Sequence, residues 1–448
     1  MKPSLLFCLL FLFLSSCNDN LSNTNRTPKP DYVSQFDSVL QSLLNCWFPI
    51  IIDTTAGGYF CNFEYNWEKS EEQPKHLLHH ARGLWTASKA ATFYPENPIY
   101  KQTADHGYNY LISHFWDTSN QGFFSSLTHT QQFSYKNTYD NAFAIFALSE
   151  YAKINPDLVI KDWLKKSFDW FELHAHDKTH SGYFHFIIKK EDREAFLNSS
   201  QYKANNYWGN IDWKNQNTSI HIMEAFANMY LVMPSEQLRK RLEEIFLLIR
   251  DNMVSENGHL NLYFYPDWTP ISHLDSSKNF ILENKQFDHI SFGHDIETAY
   301  LLLETAETLY GKPDSITQHI AKKLTDHSLK YGLDRDYYGM FYEGYRFKGS
   351  DSVSILNNQK AWWVQAEAWH TLALMKTLYP DEKLYSEAYP QLWKYINEQL
   401  LDKEYGGWYN NGLDTRPQTK LVKKGHPWKS AYHNGRALMQ VLQYKKSE

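Results

Sequence analysis

Cysteine is scarce, with four residues in a chain of 448, at positions 8, 17, 46 and 61, and no CxxC spacing among them. No thiol pair of the redox or metal-binding kind is therefore written into the chain. The formal net charge is −6 and the basic residues form no stripe, which gives no reason to expect nucleic acid. Neither GxGxxG nor GxxxxGK[ST] occurs, so the glycine loops that cradle a dinucleotide or a nucleotide phosphate are missing. Long apolar runs are missing too: Leu5 to Leu14 is too short to span a bilayer and stay there, and no later stretch is longer.

Aromatic residues, by contrast, make up 16 % of the chain, and tryptophan alone occurs 15 times. Most such rings serve helix packing, but their flat apolar faces also stack on the C–H faces of sugars. A small residue plus an aromatic follows an acidic loop six times: DTTAGGYF from Asp53, DTSNQGFF from Asp117, DKTHSGYF from Asp177, ENGHLNLY from Glu256, DYYGMFYE from Asp336 and DKEYGGWY from Asp402. The period of roughly 60 to 80 residues is that of a repeat architecture. Between the loops the apolar residues recur at helical spacing, as in NAFAIFALSEYAKI from Asn141 and IETAYLLLETAETLY from Ile296. Each unit reads as two helices joined by a glycine-bent loop. Six such hairpins, none able to bury its apolar face alone, predict an all-α fold, an (α/α)6 barrel over residues 32–448 as a single domain, with one cup lined by inner-helix ends and loops.

The first residues read differently. Lys2, the apolar run and Leu14-Ser15-Ser16-Cys17 have the form of a bacterial lipoprotein signal. On this reading residues 1–16 are removed, Cys17 is acylated, and residues 17–31 tether the barrel to a membrane outside the cytoplasm. An ordinary secretory peptide with an incidental cysteine is the alternative. Export would permit a Cys46–Cys61 disulfide, and two separate thiols fit equally.

Three histidines stand three residues before a charged side chain: His221 before Glu224, His294 before Glu297, and His433 before Arg436. Residues at i and i+3 share a helix face. A carboxylate neighbour favours the imidazolium and a guanidinium disfavours it, so His294 is expected to be a charged proton donor and His433 a neutral acceptor. Two His-x-x-Glu pairs could also supply four metal ligands from facing helices, matching in number the Glu-x-x-His pairs of di-iron bundles. The residue order is reversed, however, and Arg82 and Arg436 would place positive charge beside the ion, so no metal is expected.

HHARGLWTASKA around Arg82, TYDNAFAIFALSEY from Thr138, NTSIHIMEAFANMY from Asn217, ISFGHDIETAYLLLETA from Ile290, KAWWVQAEAWHTLA from Lys360 and WKSAYHNGRALM from Trp428 together resemble the cellobiose 2-epimerases. These belong to the wider superfamily of N-acylglucosamine 2-epimerases, which are (α/α)6 barrels. The resemblance spans nearly all of the chain after the signal, in order and at compatible spacing. Ser430, where cysteine is expected, and the lipoprotein signal are the two departures. The resemblance implies a cofactor-free epimerisation at carbon 2 of a reducing-end glucose. His294 and His433 would be the acid/base pair, with Glu297 positioning His294. Arg82 and His221 would donate to the enediolate oxygens, and Tyr139 would help move a proton between oxygens 1 and 2. Trp363 and Trp428 would wall the second sugar and Glu367 would bind its hydroxyls. Trp362 is expected to pack elsewhere, while Asp140 and Asn217 would hold inner-helix starts or nearby hydrogen bonds, Asn217 also counting among the substrate-binding residues.

The expected partner is thus a disaccharide or monosaccharide, with a membrane reached through the lipid. Three readings compete with a disaccharide 2-epimerase. One is an N-acylglucosamine 2-epimerase or aldose–ketose isomerase using the same enediolate, and another is a glycoside hydrolase with Glu297 and Glu367 as its carboxylates. The third is a surface glycan-binding lipoprotein without activity.

Overall fold

The computed structural model describes residues 32–127, 135–200, 202 and 209–447. The proposed signal, Cys17 and the tether lie outside the described residues. Six helices form an inner ring: α2 (Leu77–Phe93), α4 (Thr138–Ile154), α7 (Gln216–Val232), α10 (Phe292–Tyr310), α12 (Trp362–Leu378) and α14 (Tyr432–Ser447). Preceding each in the chain is an outer helix: α1 (Tyr32–Trp47), α3 (Pro98–Tyr110), α5 (Leu158–Trp170), α8 (Glu236–Leu248), α11 (Ser315–Tyr331) and α13 (Lys383–Tyr395). Two short helices, α6 (Arg193–Asn198) and α9 (Lys278–Asn284), lie in connecting segments. Each inner helix packs on the next, and α14 packs on α2. The ring is closed, and the (α/α)6 barrel expected from the repeats is the observed fold.

The sequence already separates the two rings. In α4 every residue from Thr138 to Ala152 is buried, as suits a helix walled in on all sides. Outer helices such as α5 bury a stripe, Ile160, Leu164, Ser167 and Phe168, and turn charged residues to water. Four outer helices continue into a single π-helical turn, at Leu111–Phe115, Phe171–Ala175, Ile249–Met253 and Ile396–Leu400, before the hairpin loop begins.

How the loops are held was not visible from the glycine-aromatic pattern. Asp53, Asp117, Asp177 and Asp402 each accept backbone N–H groups two and three residues on, the local turn that short acidic side chains favour. Each also takes a lysine, half-buried at Lys75 (2.8 Å) and buried at Lys136 (2.7 Å), Lys214 (2.7 Å) and Lys424. The fifth loop keeps the clamp through Asp334 and Lys360 at 2.6 Å, so its repeat begins two residues earlier than the motif from Asp336 suggests. In the fourth, Ser255 and Ile290 occupy the two places and no clamp forms; the repeat is anchored at Ser255 and not at Glu256. Inner-helix side chains complete the register: Asn141, Asp295 and Gln365 accept the N–H groups of Phe123, Leu260 and Met340.

Burial alone would raise these aspartates, but the lysine ammoniums and the loop N–H groups hold all five clamp carboxyls below their ordinary range. A depressed folded-state value contributes stability above the unfolded value, near ~3.9, and that stability is lost as pH falls through the folded value. Melting temperature should therefore hold down to about pH 5 and fall steeply below about pH 4. The Asp177→Asn variant should melt lower than wild type at neutral pH and lose less on acidification, a difference that thermal melts along a pH series would register.

The rim carries three small antiparallel sheets among the described residues. β1 (Tyr135–Asn137) pairs with β2 (Phe186–Ile188), and β3 (Lys214–Asn215) with β4 (Tyr263–Phe264). β6 (Glu343–Tyr345) lies between β5 (Ile290–Ser291) and β7 (Ser354–Asn357). Cys46 and Cys61 are free thiols, which answers the choice left open above in favour of separate cysteines. No helix among the described residues is long and apolar enough to cross a membrane.

Candidate active site

Because each outer helix leads through its loop into the start of an inner helix, the first turns of the inner ring converge at one end. They surround a cavity of about 690 Å³. Arg82 comes from α2, Tyr139 from α4, Asn217 and His221 from α7, His294 and Glu297 from α10, Trp363 from α12 and His433 from α14; Trp428, in the loop before α14, completes the wall. Every residue expected to act on or bind the sugar lines this cavity except Glu367.

Glu367 is fully buried beneath the floor and cannot bind a sugar hydroxyl directly. Its Oε1 lies 2.5 Å from His433 Nδ1 and accepts from Arg436 Nη2 at 2.8 Å, while its Oε2 accepts from the Tyr300 hydroxyl at 2.9 Å. It is the partner of His433. The expected pairing of Glu297 with His294 is likewise not formed. Glu297 accepts from Arg436 Nη2 at 2.7 Å, whereas His294 Nδ1 lies 2.9 Å from the Ser291 hydroxyl. The third pair is as expected, with His221 Nδ1 2.9 Å from Glu224 Oε2.

Arg436 thus sits among three buried carboxylates, bonding Glu224 as well as Glu297 and Glu367. Burial raises both Glu297 and Glu367, and their mutual repulsion adds to it at Glu297. Glu224 is held below its ordinary value because Arg436 and His221 outweigh its burial. The ligand atoms of Glu297, Glu367 and His433 lie within 4.8 Å of one another, the kind of grouping that could hold an ion, but the guanidinium already bonds both carboxylates.

Burial pushes His294 down to about 3, with His221, His289 and His433 adding to the shift. His433 is driven well below its ordinary value by burial and then by Arg82 and Arg436. Burial thus favours the neutral form of both rings, which corrects the expectation of a charged His294: without Glu297 beside it, nothing offsets the loss of water. Both rings flank Trp363, with centroids 5.0 Å and 5.8 Å away. Since their Nδ1 atoms are engaged by Ser291 and Glu367, the Nε2 atoms remain for chemistry.

Arg82 donates to the Tyr139 hydroxyl at 2.9 Å and to the Trp428 carbonyl at 3.2 Å, and its guanidinium lies over the Phe143 and Tyr432 rings. It makes no ion pair with a carboxylate among the described residues, so its charge is available to an anion in the cavity. Burial raises the neighbouring Asp140 to about 7. Asn217 keeps its Oδ1 without a protein hydrogen-bond partner. Trp362, expected to pack elsewhere, lines the cavity beside Trp363.

Tyr342, Gln359, Asn410, Asn411, Val422 and His426 also form the wall and were not anticipated. They come from loops; Tyr342 lies in the DYYGMFYE repeat, but nothing in that repeat marks it as part of the site. Gln359 directly precedes the segment from Lys360, Asn410 directly follows DKEYGGWY, and His426 stands two residues before Trp428, its Nε2 3.2 Å from Asn410 Oδ1.

An all-α cup in which histidines and an arginine face a wall of tryptophans is suited to holding a sugar and moving its protons. A family description of N-acylglucosamine 2-epimerase (GlcNAc 2-epimerase) matches residues 58–437, and the chain belongs to that family. It is 27 % identical over 405 residues to a cellobiose 2-epimerase of Bacteroides fragilis, covering 89 % of this chain and 95 % of the relative. The cellobiose 2-epimerase of Dictyoglomus turgidum is 27 % identical over 404 residues, covering 87 % of this chain and 92 % of the relative. The solved cellobiose 2-epimerase of Spirochaeta thermophila superposes with a TM-score of 0.76 at 27 % identity, covering 94 % of this chain and 99 % of that one.

Proposed function

We propose that the enzyme inverts carbon 2 of the reducing-end glucose of a β-1,4-linked disaccharide, taking cellobiose to glucosyl-mannose or mannobiose to mannosyl-glucose. The observation that carries this reading is the pair of neutral histidines flanking Trp363, with the unpaired Arg82 on the same cavity. Once the ring has opened, His433 Nε2 takes the carbon-2 proton, and Glu367 stabilises the resulting imidazolium as the carboxylate of a triad does. The negative oxygens of the enediolate meet Arg82, Tyr139 and His221. That negative charge favours protonation of His294 by solvent, and the imidazolium returns this proton to the other face of carbon 2, while His433 releases the abstracted proton to solvent. Trp363 and Trp428 stack on the second sugar, with the free Asn217 Oδ1 as an acceptor for a hydroxyl.

A hydrolase would need two carboxyl groups facing the scissile bond. Glu297 reaches the cavity, but Glu367 lies beneath it, and both are bound by Arg436, which speaks against that reading. Turnover of cellobiose in deuterium oxide should give glucosyl-mannose labelled at carbon 2, no free glucose, and no effect of chelators. Product carrying only its original hydrogen at carbon 2 would argue against the solvent-exchanging histidine pair.

We propose in addition that Cys17 carries the lipid of an exported lipoprotein, on the strength of the Leu14-Ser15-Ser16-Cys17 motif behind a short apolar run. The Cys17→Ser protein should leave the membrane fraction after a salt wash. Its complete retention there would show that Cys17 is not the anchor.

A further inference from the structure

Part of the cavity wall is not used by the proposed chemistry. Trp363 and His433 are the second residues of α12 and α14, so the reacting carbon sits level with the first helical turns. Gln359 and Asn411 line the same cavity from segments that precede those turns, on the mouth side. The two segments are joined: Asn411 pairs with Ala361 across an antiparallel bridge, and the Trp362 N–H donates to the Asn410 carbonyl at 3.0 Å. The backbone N–H groups of Gln359 and Asn411 are bound, by Asn357 Oδ1 at 3.0 Å and Thr419 Oγ1 at 3.2 Å. Their side-chain amides have no protein partner among the described residues. An amide offers both donors and an acceptor, the match for a hydroxyl group.

Beside them, His426 ties three pieces of the wall together. Its Nδ1 accepts from the Trp428 N–H at 3.3 Å, which leaves Nε2 to carry the proton and donate to Asn410 Oδ1 at 3.2 Å. Asn410 Nδ2 donates in turn to the Lys423 carbonyl at 2.7 Å. The imidazole also meets the Trp362 ring edge-on, with centroids 5.9 Å apart. The start of α12, the loop at Asn410 and the segment carrying Trp428 are thus held by one side chain.

The geometry points to Gln359 and Asn411 as the residues that bind the hydroxyls of the sugar beyond the reducing end, and to His426 as the residue that positions Trp428 against that sugar. The inference rests on the disaccharide reading. Beneath the histidines the floor is closed by the buried Glu367 and Arg436, so a disaccharide held at carbon 2 extends toward the mouth, where these groups stand. A lone hexose at the histidines gains nothing from them. Preference for the longer substrate is therefore set by loop residues, apart from the helix-borne groups that move protons.

The test compares wild type with Gln359→Ala, Asn411→Ala and the double variant, by cellobiose turnover and by calorimetric binding of cellobiitol, which is reduced at carbon 1 and cannot react. Each lost hydrogen bond should raise KM and the cellobiitol Kd by about 2–12-fold, with kcat essentially unchanged. Neither side chain bonds the rest of the protein, so circular dichroism and melting temperature should match wild type. His426→Ala should raise KM in the same way, and His426→Gln, whose amide nitrogen can donate to Asn410 as Nε2 does, should restore it. A purely structural loss at position 426 would lower the melting temperature without separating KM from kcat. If His426→Ala does not fold, the two amide variants decide. An unmoved KM and Kd in the double variant, or a fall in kcat at constant KM, overturns the inference. Wild type that leaves carbon 2 of cellobiose unlabelled in deuterium oxide removes the disaccharide reading, and this inference with it. Labelled product from wild type beside an unmoved double variant removes this inference alone.

Discussion

His433→Ala and His294→Ala should each reduce turnover by about 10²–10⁴-fold, the usual contribution of a positioned acid or base, with far-UV circular dichroism and melting temperature close to wild type. The two rings line a cavity, so truncation leaves space that water can enter. Removing His433 also leaves Glu367 with Arg436 and Tyr300 as partners, so the buried carboxylate keeps its ion pair. Deuterium exchange separates the two roles: a variant lacking only the base should not wash the carbon-2 hydrogen of cellobiose into solvent, whereas one lacking only the returning acid should still exchange it slowly. Near-normal turnover in either variant would overturn the assignment.

The second large effect belongs to Glu367→Gln, which changes no atom that touches substrate. The carboxylate serves His433, Arg436 and Tyr300 together, and an amide of the same shape offers one oxygen in place of two. Breaking a buried ion pair from one side typically costs about 3–5 kcal/mol, so a lower melting temperature is expected along with a fall in kcat. A structural defect alone would stop there. Loss of the carboxylate should also lower the value at which His433 takes its proton, because the imidazolium loses its partner. The acid limb of the kcat/KM profile should then move to lower pH, since the base must be neutral to act. A full-rate enzyme with an unmoved acid limb would show that Glu367 does not tune His433.

Much of this arrangement could be read before any coordinates. The hairpin loops marked the repeat, and the short segments around Arg82, Tyr139, His221, His294, Trp363 and His433 each fell on the first turns of inner helices. What failed was partnership. Spacing along one helix made Glu297 the natural companion of His294, but the Arg436 guanidinium from another helix holds that carboxylate, and Ser291 stands nearer the imidazole. Glu367 and His433 are 66 residues apart, so no local pattern could join them. The aspartate–lysine clamps were hidden for a related reason: the lysine follows its aspartate by 19 residues in one repeat and 37 in another. Strands of two to four residues, as at the rim, are too short to display an alternation.

The six inner helices start at the cavity, and that common polarity carries an electrostatic consequence. Each helix start presents the positive end of aligned peptide dipoles, equivalent to roughly half an elementary charge. With all six starts gathered around one cavity, the field there favours negative charge before any side chain ionises. Such a field is set by folding and needs no rearrangement when charge develops. On the proposed mechanism this field would help the site receive the anionic intermediate while both histidines are neutral, and it would place part of the catalytic power in the backbone, where no single substitution removes it.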